Sequence, residues 1–332
     1  MLSQQELSRN LVLLTLMFTA AASLAQTSID DVHVGQRPAP LTLAANYSKE
    51  YGPGGVIRAR TDLVMVPVTI TDERNRPVIG LQADNFQLLE NKTPQSIKNF
   101  SSEDMPVSIG LIVDTSGSMA YKLERARDAV VQFCETANPQ DEFFMITFDD
   151  SPHLVTDFTN RTEEIENDLL GARSHGRTSL LDAIYMGLRE MRSARYSRKV
   201  LLILSDGGDN HSRYTEHDVR AAVKESDVLI YAIGTYEQYA NTEEEMLGPE
   251  LLRSVASLTG GQAFTLTNVN DMPTMTRIIG AQLRHQYMLA YEPQAKTRDG
   301  KWRKISVKLR LPKRLQHLFL HVDARTGYYA GE

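Results

Sequence analysis

The sequence predicts an α/β protein in which a doubly wound, mostly parallel sheet is inserted in a small β-sandwich built from the N- and C-terminal flanks. Nearly continuous apolar runs, such as 107–113 and 200–205, are typical of strands that are buried on both faces. Between residues 105 and 286 such runs alternate with helical patterns, which indicates parallel strands joined by helices. The flanks, 56–104 and 287–332, have strand patterns but are each too small to form a core alone.

The N-terminal flank is predicted to be all-β. Residues 63–70 form an apolar run typical of a strand, and residues 72–77 follow it with turn formers. A second strand is predicted over 86–90, a second turn over 91–94 and a third strand over 96–100. These three strands need a partner from elsewhere in the chain to bury their apolar faces.

The central segment, 105–286, is predicted to alternate strands and helices. The strand over 153–158 is short and is expected at an edge of the sheet. The other strands are predicted over 107–113, 142–148, 200–205, 228–234 and 263–266. Helices are predicted over 121–137, 163–172, 180–194, 216–226, 249–258 and 272–286.

The C-terminal flank returns to a β pattern. Strands are predicted over 287–291 and 302–311, with a tight turn at Asp299 and Gly300 between them, and the alternation in the second strand predicts one exposed face. Residues 318–322 and the ending at 327–329 complete the flank. The simplest arrangement pairs both flanks in one β-sandwich.

The N-terminus has the pattern of an export signal. Leu11 to Leu24 is apolar and uncharged, and Ser23, Leu24 and Ala25 place small residues two apart, as a signal peptidase requires. We therefore expect a signal peptide over 1–25, a flexible leader over 26–55 and a secreted or periplasmic bacterial protein. The alternative is an uncleaved N-terminal anchor, which is the one membrane attachment expected.

Composition narrows the classes of partner. The chain has 332 residues and a formal net charge of −6, so it has no general attraction for nucleic acid or for an anionic membrane surface. Its single cysteine, Cys134, cannot form an internal disulfide, and it falls in a helical pattern that predicts a buried thiol. The sequence also lacks a Walker loop and a Gly-x-Gly-x-x-Gly fingerprint, so no nucleotide is expected.

A set of oxygen-bearing side chains follows the first buried strand. Asp114, Ser116 and Ser118 supply one carboxylate and two hydroxyls at alternating positions of a turn. Ligands that are all oxygens suit a hard cation, which predicts Mg²⁺, with Mn²⁺ or Ca²⁺ possible. The alternative is that Asp114 and Ser116 cap a helix that begins near Met119.

Two further positions strengthen the metal hypothesis. Asp206 follows the most apolar strand, and Thr178 lies in a loop before a helix. If the strands that precede Asp114 and Asp206 are neighbours, both carboxylates emerge at the crevice where strand order reverses and where such sheets bind ligands. The alternative is that Asp206 only begins a turn.

The residues Asp114-Thr115-Ser116-Gly117-Ser118, Thr178 and Asp206-Gly207 together resemble the metal-ion-dependent adhesion site of von Willebrand factor A-type domains. The resemblance covers about 105–286 and implies a Rossmann-like fold. It implies that Ser116 and Ser118 coordinate the metal through their hydroxyls, Thr178 directly or through water, and Asp114 and Asp206 through water or directly. It also implies a protein partner whose acidic side chain takes the open coordination position.

The flanks add a narrower resemblance. Residues 300–305 and 324–330 are similar to a bacterial subgroup described as von Willebrand factor A-related, notably in acidobacteria. That resemblance implies the architecture and the source of the chain rather than a function.

The main functional hypothesis is metal-dependent protein binding or adhesion outside the cytoplasm, without catalysis. One alternative is an envelope scaffolding or assembly protein that binds its partner on the sandwich and keeps a structural metal. A remote alternative is a metal-assisted hydrolase with His175 or His211 as base, although the sequence has no Gly-x-Ser-x-Gly elbow. A weaker hypothesis is that the helix over 272–286 shifts when a ligand binds, as in some relatives of the resembled family.

Asp149, Asp150 and Asp209 are further candidates near strand ends. They could extend the metal site, but solvated turn residues are the favoured interpretation.

Overall fold

The computed structural model describes residues 63–236, 243–294, 299–311 and 318–330, with the side chains of 243–246 left out. The predicted signal peptide, 1–25, and the predicted leader, 26–55, lie outside these residues and stay predictions. Within the described residues, no helix is both long enough and apolar enough to span a membrane.

Strands occur in both flanks and in the central segment. Those of the N-terminal flank are β1 (Val64–Thr71), β2 (Phe86–Glu90), β3 (Thr93–Gln95) and β4 (Ile97–Ser101). Those of the central segment are β5 (Ser108–Asp114), β6 (Glu142–Phe148), β7 (Pro152–Thr159), β8 (Lys199–Ser205), β9 (Val228–Thr235) and β10 (Ala263–Leu266). Those of the C-terminal flank are β11 (Tyr287–Tyr291), β12 (Trp302–Leu309), β13 (His321–Ala324) and β14 (Gly327–Tyr329).

The helices fall in the central segment. They are α1 (Leu123–Cys134), α2 (Thr162–Gly171), α3 (Leu180–Glu190), α4 (Glu216–Glu225), α5 (Glu243–Thr259) and α6 (Met272–Arg284).

The central sheet has the strand order β10-β9-β8-β5-β6-β7. Its pairings are parallel except that β7 runs antiparallel to β6 at the edge. The chain builds outward from β5 in one direction and from β8 in the other, so strand order reverses between β5 and β8. The predicted doubly wound, mostly parallel sheet is confirmed, and so is the edge position of the strand predicted over 153–158, although β7 is not short and spans Pro152–Thr159.

Helices cover both faces of this sheet, as its fully apolar strands require. One core cluster joins the sheet to α1, α2 and α6, through residues such as Phe133, Leu169 and Ile279. A second cluster joins the opposite face to α3, α4 and α5, through residues such as Ile184 and Val255. Cys134 lies in the first cluster, where burial and the charge of Glu166 raise its thiol pKa to about 12, so the predicted buried thiol is confirmed.

Both flanks pair in one β-sandwich. One sheet has the order β13-β1-β11-β4 and the other β14-β12-β2-β3, so each sheet contains strands of both flanks. Their facing side chains share one core, which includes Val66 and Leu289 from the first sheet and Leu88 and Ile305 from the second. The predicted insertion of the α/β segment in a sandwich is therefore confirmed.

The boundaries of the flank strands differ from the predictions most clearly at two places. Asn91 and Lys92 adopt positive φ angles of 47° and 71° and complete the turn alone, so Thr93 already pairs with Glu90 in a strand that was predicted as part of a turn. The strand predicted over 318–322 begins at His321, because its pairing partner β1 ends at Thr71.

Two helix starts were also predicted wrongly. Helix α5 begins at Glu243 rather than at 249, and Pro249 lies inside it. A proline removes one backbone hydrogen bond, and the helix continues across that gap. Helix α1 begins at Leu123 rather than 121, because a short 3₁₀ helix, Gly117–Met119, occupies the preceding turn.

Candidate metal-binding site

Asp114 ends strand β5 and is fully buried. Its Oδ1 atom accepts a hydrogen bond of 2.9 Å from the backbone N–H of Ser116. Its Oδ2 atom accepts a bond of 2.6 Å from the hydroxyl of Ser205, at the end of the neighbouring strand β8. The carboxylate is therefore held between the ends of two strands, at the point where strand order reverses.

The hydroxyls of Ser116 and Ser118 lie together, 3.0 Å apart. Ser116 is the N-cap residue of the short 3₁₀ helix, but its side chain makes no capping hydrogen bond there. Ser116 is buried whereas Ser118 is exposed. The pair therefore runs from the interior to the solvent-facing side of the site.

Asp206 follows β8 directly and is 4% exposed. The Nζ atom of Lys122, one residue before α1, lies 3.2 Å from its Oδ2 atom. The next residue, Gly207, has a φ of 79°, and its N–H donates to the Ser205 hydroxyl at 2.9 Å. Asp206 is thus tied to the loop after β5 as well as to its own turn, which is more than a turn residue requires.

Gly207 has a second reason to be glycine. A Cβ atom at this position would collide with the hydroxyl of Tyr236 and would lie 2.9 Å from the backbone carbon of Gly248. Both the positive φ and this close approach require a residue without a side chain. The chain is therefore packed tightly beside Asp206.

Thr178 is 5% exposed and lies in the loop before α3. On one side, the backbone N–H of His175 in this loop donates to the carbonyl of Thr115 at 2.9 Å, next to the Ser116 turn. On the other side, the N–H of Thr178 donates to the side chain of Asn210 at 3.0 Å. These bonds place the loop that carries Thr178 between the two carboxylate loops.

The three nearby aspartates bind backbone donors. Asp150 accepts from the N–H of Arg177 at 2.9 Å, and Asp209 accepts from the N–H of Leu181 at 2.8 Å at the start of α3. Asp149 is 9% exposed, so the expectation of a solvated residue is wrong for it. Its burial follows from the packing of two loops, because its carbonyl accepts the N–H of Ser179.

The histidines of the hydrolase alternative lie beside the site. Nε2 of His175 is 3.5 Å from Oδ2 of Asp149. Nδ1 of His211 is 3.2 Å from a guanidinium nitrogen of Arg177. Since a guanidinium can only donate, this ring nitrogen of His211 accepts.

The charges of the site suit a cation. Burial and the nearby charge of Asp206 raise the pKa of the Asp114 carboxyl to about 7. Within the described residues, no three His, Cys, Asp or Glu side chains cluster closely enough to hold a metal ion alone. A metal held by Asp114 and Asp206 would need further oxygen donors, which the hydroxyls of Ser116 and Ser118 could supply, and such a donor set fits a hard divalent ion.

Among the described residues, two of the buried hydroxyls that lack hydrogen-bond partners are close to the proposed ligands. They belong to Ser179, which follows Thr178, and to Tyr236, which packs on Gly207. Burial and the charge of Asp206 also raise the pKa of the Tyr236 phenol. Buried polar atoms without protein partners are commonly satisfied by ordered water or an ion, so these hydroxyls fit a hydrated cation nearby.

The structure thus brings Asp114, Ser116, Ser118 and Asp206 to one place, with the loop of Thr178 bonded beside them. Sequence reasoning missed the roles of Ser205 and Lys122. The role of Ser205 could have been predicted, because this serine ends the apolar strand directly before Asp206. The role of Lys122 could not be predicted from the neighbouring residues, because its partner Asp206 lies 84 residues away in the sequence.

Residues 109–208 match the family model of the von Willebrand factor type A domain. This segment contains β8, all of β5 except Ser108, and all five proposed ligands. Within residues 109–208, the chain is similar to von Willebrand factor type A domains. The expectation drawn from the resemblance is confirmed at the level of the family, while the acidobacterial subgroup stays a prediction.

Curated relatives of the type A domain are distant. Inter-alpha-trypsin inhibitor heavy chain H4 of Bos taurus is 24% identical over 193 residues, which are 52% of this chain and 20% of that protein. The Homo sapiens protein of the same name is 25% identical over 161 residues, 43% of this chain and 17% of that protein. The chain spans about a fifth of the length of these relatives.

Solved structures are similarly distant. A von Willebrand factor type A protein from Catenulispora acidiphila has 13% identity and a TM-score of 0.48, covering 81% of this chain and 73% of that one. The von Willebrand factor domain of the type V pili tip protein Mfa5 from Porphyromonas gingivalis has 12% identity and a TM-score of 0.43, covering 54% and 97%. At these identities, similarity says nothing about the activity of this chain.

Proposed function

We propose that this chain binds a protein partner outside the cytoplasm through a divalent metal ion and that it catalyses no reaction. Asp114, Ser116, Ser118, Thr178 and Asp206 are the residues proposed to hold the ion. Mg²⁺ is the preferred ion, and Mn²⁺ or Ca²⁺ could replace it. An acidic side chain of the partner would complete the metal shell, in line with the octahedral oxygen coordination that Mg²⁺ prefers.

One observation carries this proposal. The buried carboxylate of Asp114 is linked through the Ser205 hydroxyl to the turn that contains Asp206, and the paired Ser116 and Ser118 hydroxyls extend from it to solvent. A site that is buried at its carboxylates and exposed at one hydroxyl can hold a cation while leaving a position open. This geometry suits a ligand that arrives from outside the protein.

Binding is favoured over hydrolysis by the surroundings of the site. The ring of His211 accepts from Arg177, and that of His175 faces the Asp149 carboxylate. Each histidine therefore contacts a side chain of a neighbouring loop. A general base must instead lie within hydrogen-bond reach of the proton that it removes.

The proposed location depends on the N-terminal pattern over 1–25, with its uncharged apolar run and small residues before Gln26. Export would place the site where the surface proteins of the cell are available as partners. Fractionation of the native host, followed by mass spectrometry of the N-terminus, tests this directly. A cytoplasmic chain that retains residues 1–25 would contradict it.

The metal-dependent part is tested by titration calorimetry of Mg²⁺ into the full chain and its Asp114→Ala variant. We expect binding by the wild type, loss in Asp114→Ala and no loss in Asp157→Ala, which removes an exposed carboxylate on β7 that accepts the N–H of Phe158. The same three proteins then serve as bait in pull-downs from the native envelope with and without EDTA. Partners that are retained by Asp114→Ala and in EDTA would contradict the proposal.

A second candidate function is scaffolding through the sandwich, with the metal structural. A cavity of about 430 Å³ lies where β12 and β14 approach the amino-terminal ends of β8 and β9, and aromatic side chains from Trp302 and Tyr328 line it. Retention of partners after chelation, combined with their loss in Trp302→Ala, would favour this function instead.

A further inference from the structure

Lys122 makes a largely buried ion pair with Asp206. Its backbone is fixed just before α1, where its N–H donates to the Met119 carbonyl at 2.8 Å and its own carbonyl accepts from Ala126. From there its side chain reaches the turn after β8, and the side chains of Lys122 and Asp206 are 14% and 6% exposed. The ammonium is therefore a built part of the site rather than a mobile surface charge.

This ammonium changes the formal charge of the loaded site. A divalent ion with only two ionised carboxylates, Asp114 and Asp206, forms a neutral set. With Lys122 added, the same set carries one net positive charge. A single carboxylate from outside then neutralises it, whereas without Lys122 that carboxylate would bring a net negative charge into a partly buried site.

We propose that Lys122 is the specificity-determining residue that makes the loaded site select a carboxylate, at the cost of weaker metal affinity. This inference rests on the proposed metal site and identifies the class of ligand that the site prefers. The ammonium repels the cation and shares the Asp206 carboxylate with it, so the metal is held less tightly. The same positive charge attracts an incoming anion, so the open position takes carboxylate in preference to water.

A merely structural ion pair predicts something different. If Lys122 only fastened α1 to the β8 turn, its removal would loosen the site and weaken the binding of metal and of carboxylate together. Selection by charge predicts opposite changes: tighter metal binding and weaker carboxylate binding. The two roles are therefore distinguished by whether the removal of Lys122 tightens or weakens metal binding.

The test uses the full chain with Lys122→Met, and with Lys122→Gln as a second charge-removing variant that can still donate to Asp206. Lys122→Arg keeps the charge. Lys224→Met removes an equal charge from α4 beside Trp302, at the opposite end of the sheet. Calorimetry measures Mn²⁺ affinity. Acetate is then titrated into Mn²⁺-saturated protein, and water-proton relaxation reports the water that acetate displaces.

Because a unit charge a few ångströms from a cation is weakly screened in a partly buried site, we expect Lys122→Met and Lys122→Gln to tighten Mn²⁺ binding by about tenfold and to weaken acetate binding by about tenfold. Lys122→Arg and Lys224→Met should stay within about twofold of the wild type for both ligands. Unchanged affinities in both charge-removing variants, or parallel weakening of both ligands, would overturn the role of Lys122. A wild type that binds no Mn²⁺ would instead overturn the metal site itself, and this inference with it.

Discussion

The hydroxyl of Ser205 donates to the Asp114 carboxylate at 2.6 Å across the two central strands of the sheet. The same hydroxyl accepts the backbone N–H of Gly207 at 2.9 Å. One side chain therefore couples the buried carboxylate of the first loop to the turn that carries Asp206. The proposed site depends on this bond because it fixes the orientation of the Asp114 carboxylate before any cation arrives.

Replacing Ser205 with alanine should lower both stability and metal affinity. The change leaves a buried carboxylate oxygen and the Gly207 N–H without partners, which costs about 1–3 kcal/mol. Urea unfolding in EDTA measures the first effect and Mg²⁺ calorimetry the second. Ser257→Ala, in which the hydroxyl lost is an exposed one on α5, should change neither quantity. If Ser205→Ala and Ser257→Ala had the same stability and the same Mg²⁺ affinity, Ser205 would have no role in organising the site.

The metal-free protein should become less stable as pH rises. The folded-state pKa of Asp114 is about 7 against an ordinary value of 3.8, so between these values the folded state holds a proton that the unfolded state has lost. That stabilisation is fully present below the lower value and is lost as pH rises through the upper one. The measurement is the free energy of unfolding in chelator across this range.

The matched comparison for this pH dependence is Asp114→Asn, in which the titrating group is absent. Subtracting its unfolding free energy from that of the wild type cancels the other carboxyls. The difference should favour the wild type at low pH and decline towards neutrality, and saturating Mg²⁺ should reverse the decline by stabilising the carboxylate. A flat or rising difference without metal contradicts the assignment.

Gly207→Ala should destabilise the fold strongly. The new Cβ meets the Tyr236 hydroxyl and the Gly248 backbone, and the φ of 79° already disfavours it, so the loss should exceed about 1 kcal/mol. Gly300→Ala provides the control, because Gly300 also has a positive φ of 62° but open space around its Cβ position. Thermal unfolding of both variants separates the effect of the steric collision on stability from the effect of the positive φ. Similar losses of stability in the two variants would show that small shifts relieve the collision.

Ser118→Ala should reduce metal affinity and leave stability unchanged. Ser118 is exposed, and the hydroxyl bond it makes is to Ser116, so little folding energy depends on it. As a direct ligand its loss should weaken Mg²⁺ binding by at least about tenfold. Ser151→Ala is the control, since its hydroxyl contacts His153 at 3.1 Å instead. Unaltered Mg²⁺ affinity in Ser118→Ala would mean that this hydroxyl is not a ligand.

The layout of the sheet could be predicted because its signals are local. The apolar runs before Asp114 and Asp206 mark strands that are buried on both faces, and their adjacency follows from the usual doubly wound order. The turn at Asn91 was predicted two residues too long, because nothing in the residue types shows that two residues with positive φ suffice to reverse the chain. The start of α5 was misplaced for a similar reason, since Pro249 is a strong but not absolute helix breaker.

The candidate site was predictable only in part. Its ligand types and spacing are visible in Asp114 to Ser118, and Asp206 follows a recognisable strand. The bonds that organise these groups join residues far apart: Ser205 lies 91 residues from Asp114, and Lys122 lies 84 from Asp206. Such pairs depend on register and packing between strands and loops, which local residue patterns do not encode.

The most direct test of the metal site is a crystal structure of the protein grown with Mn²⁺ and measured at a wavelength where manganese scatters anomalously. We expect an anomalous peak at the carboxyl ends of β5 and β8, within coordination distance of Ser116 and Ser118, and with Asp114, Thr178 and Asp206 within direct or water-mediated reach. A peak located instead at the His175 and Asp149 pair, or no peak at all at saturating Mn²⁺, would contradict it.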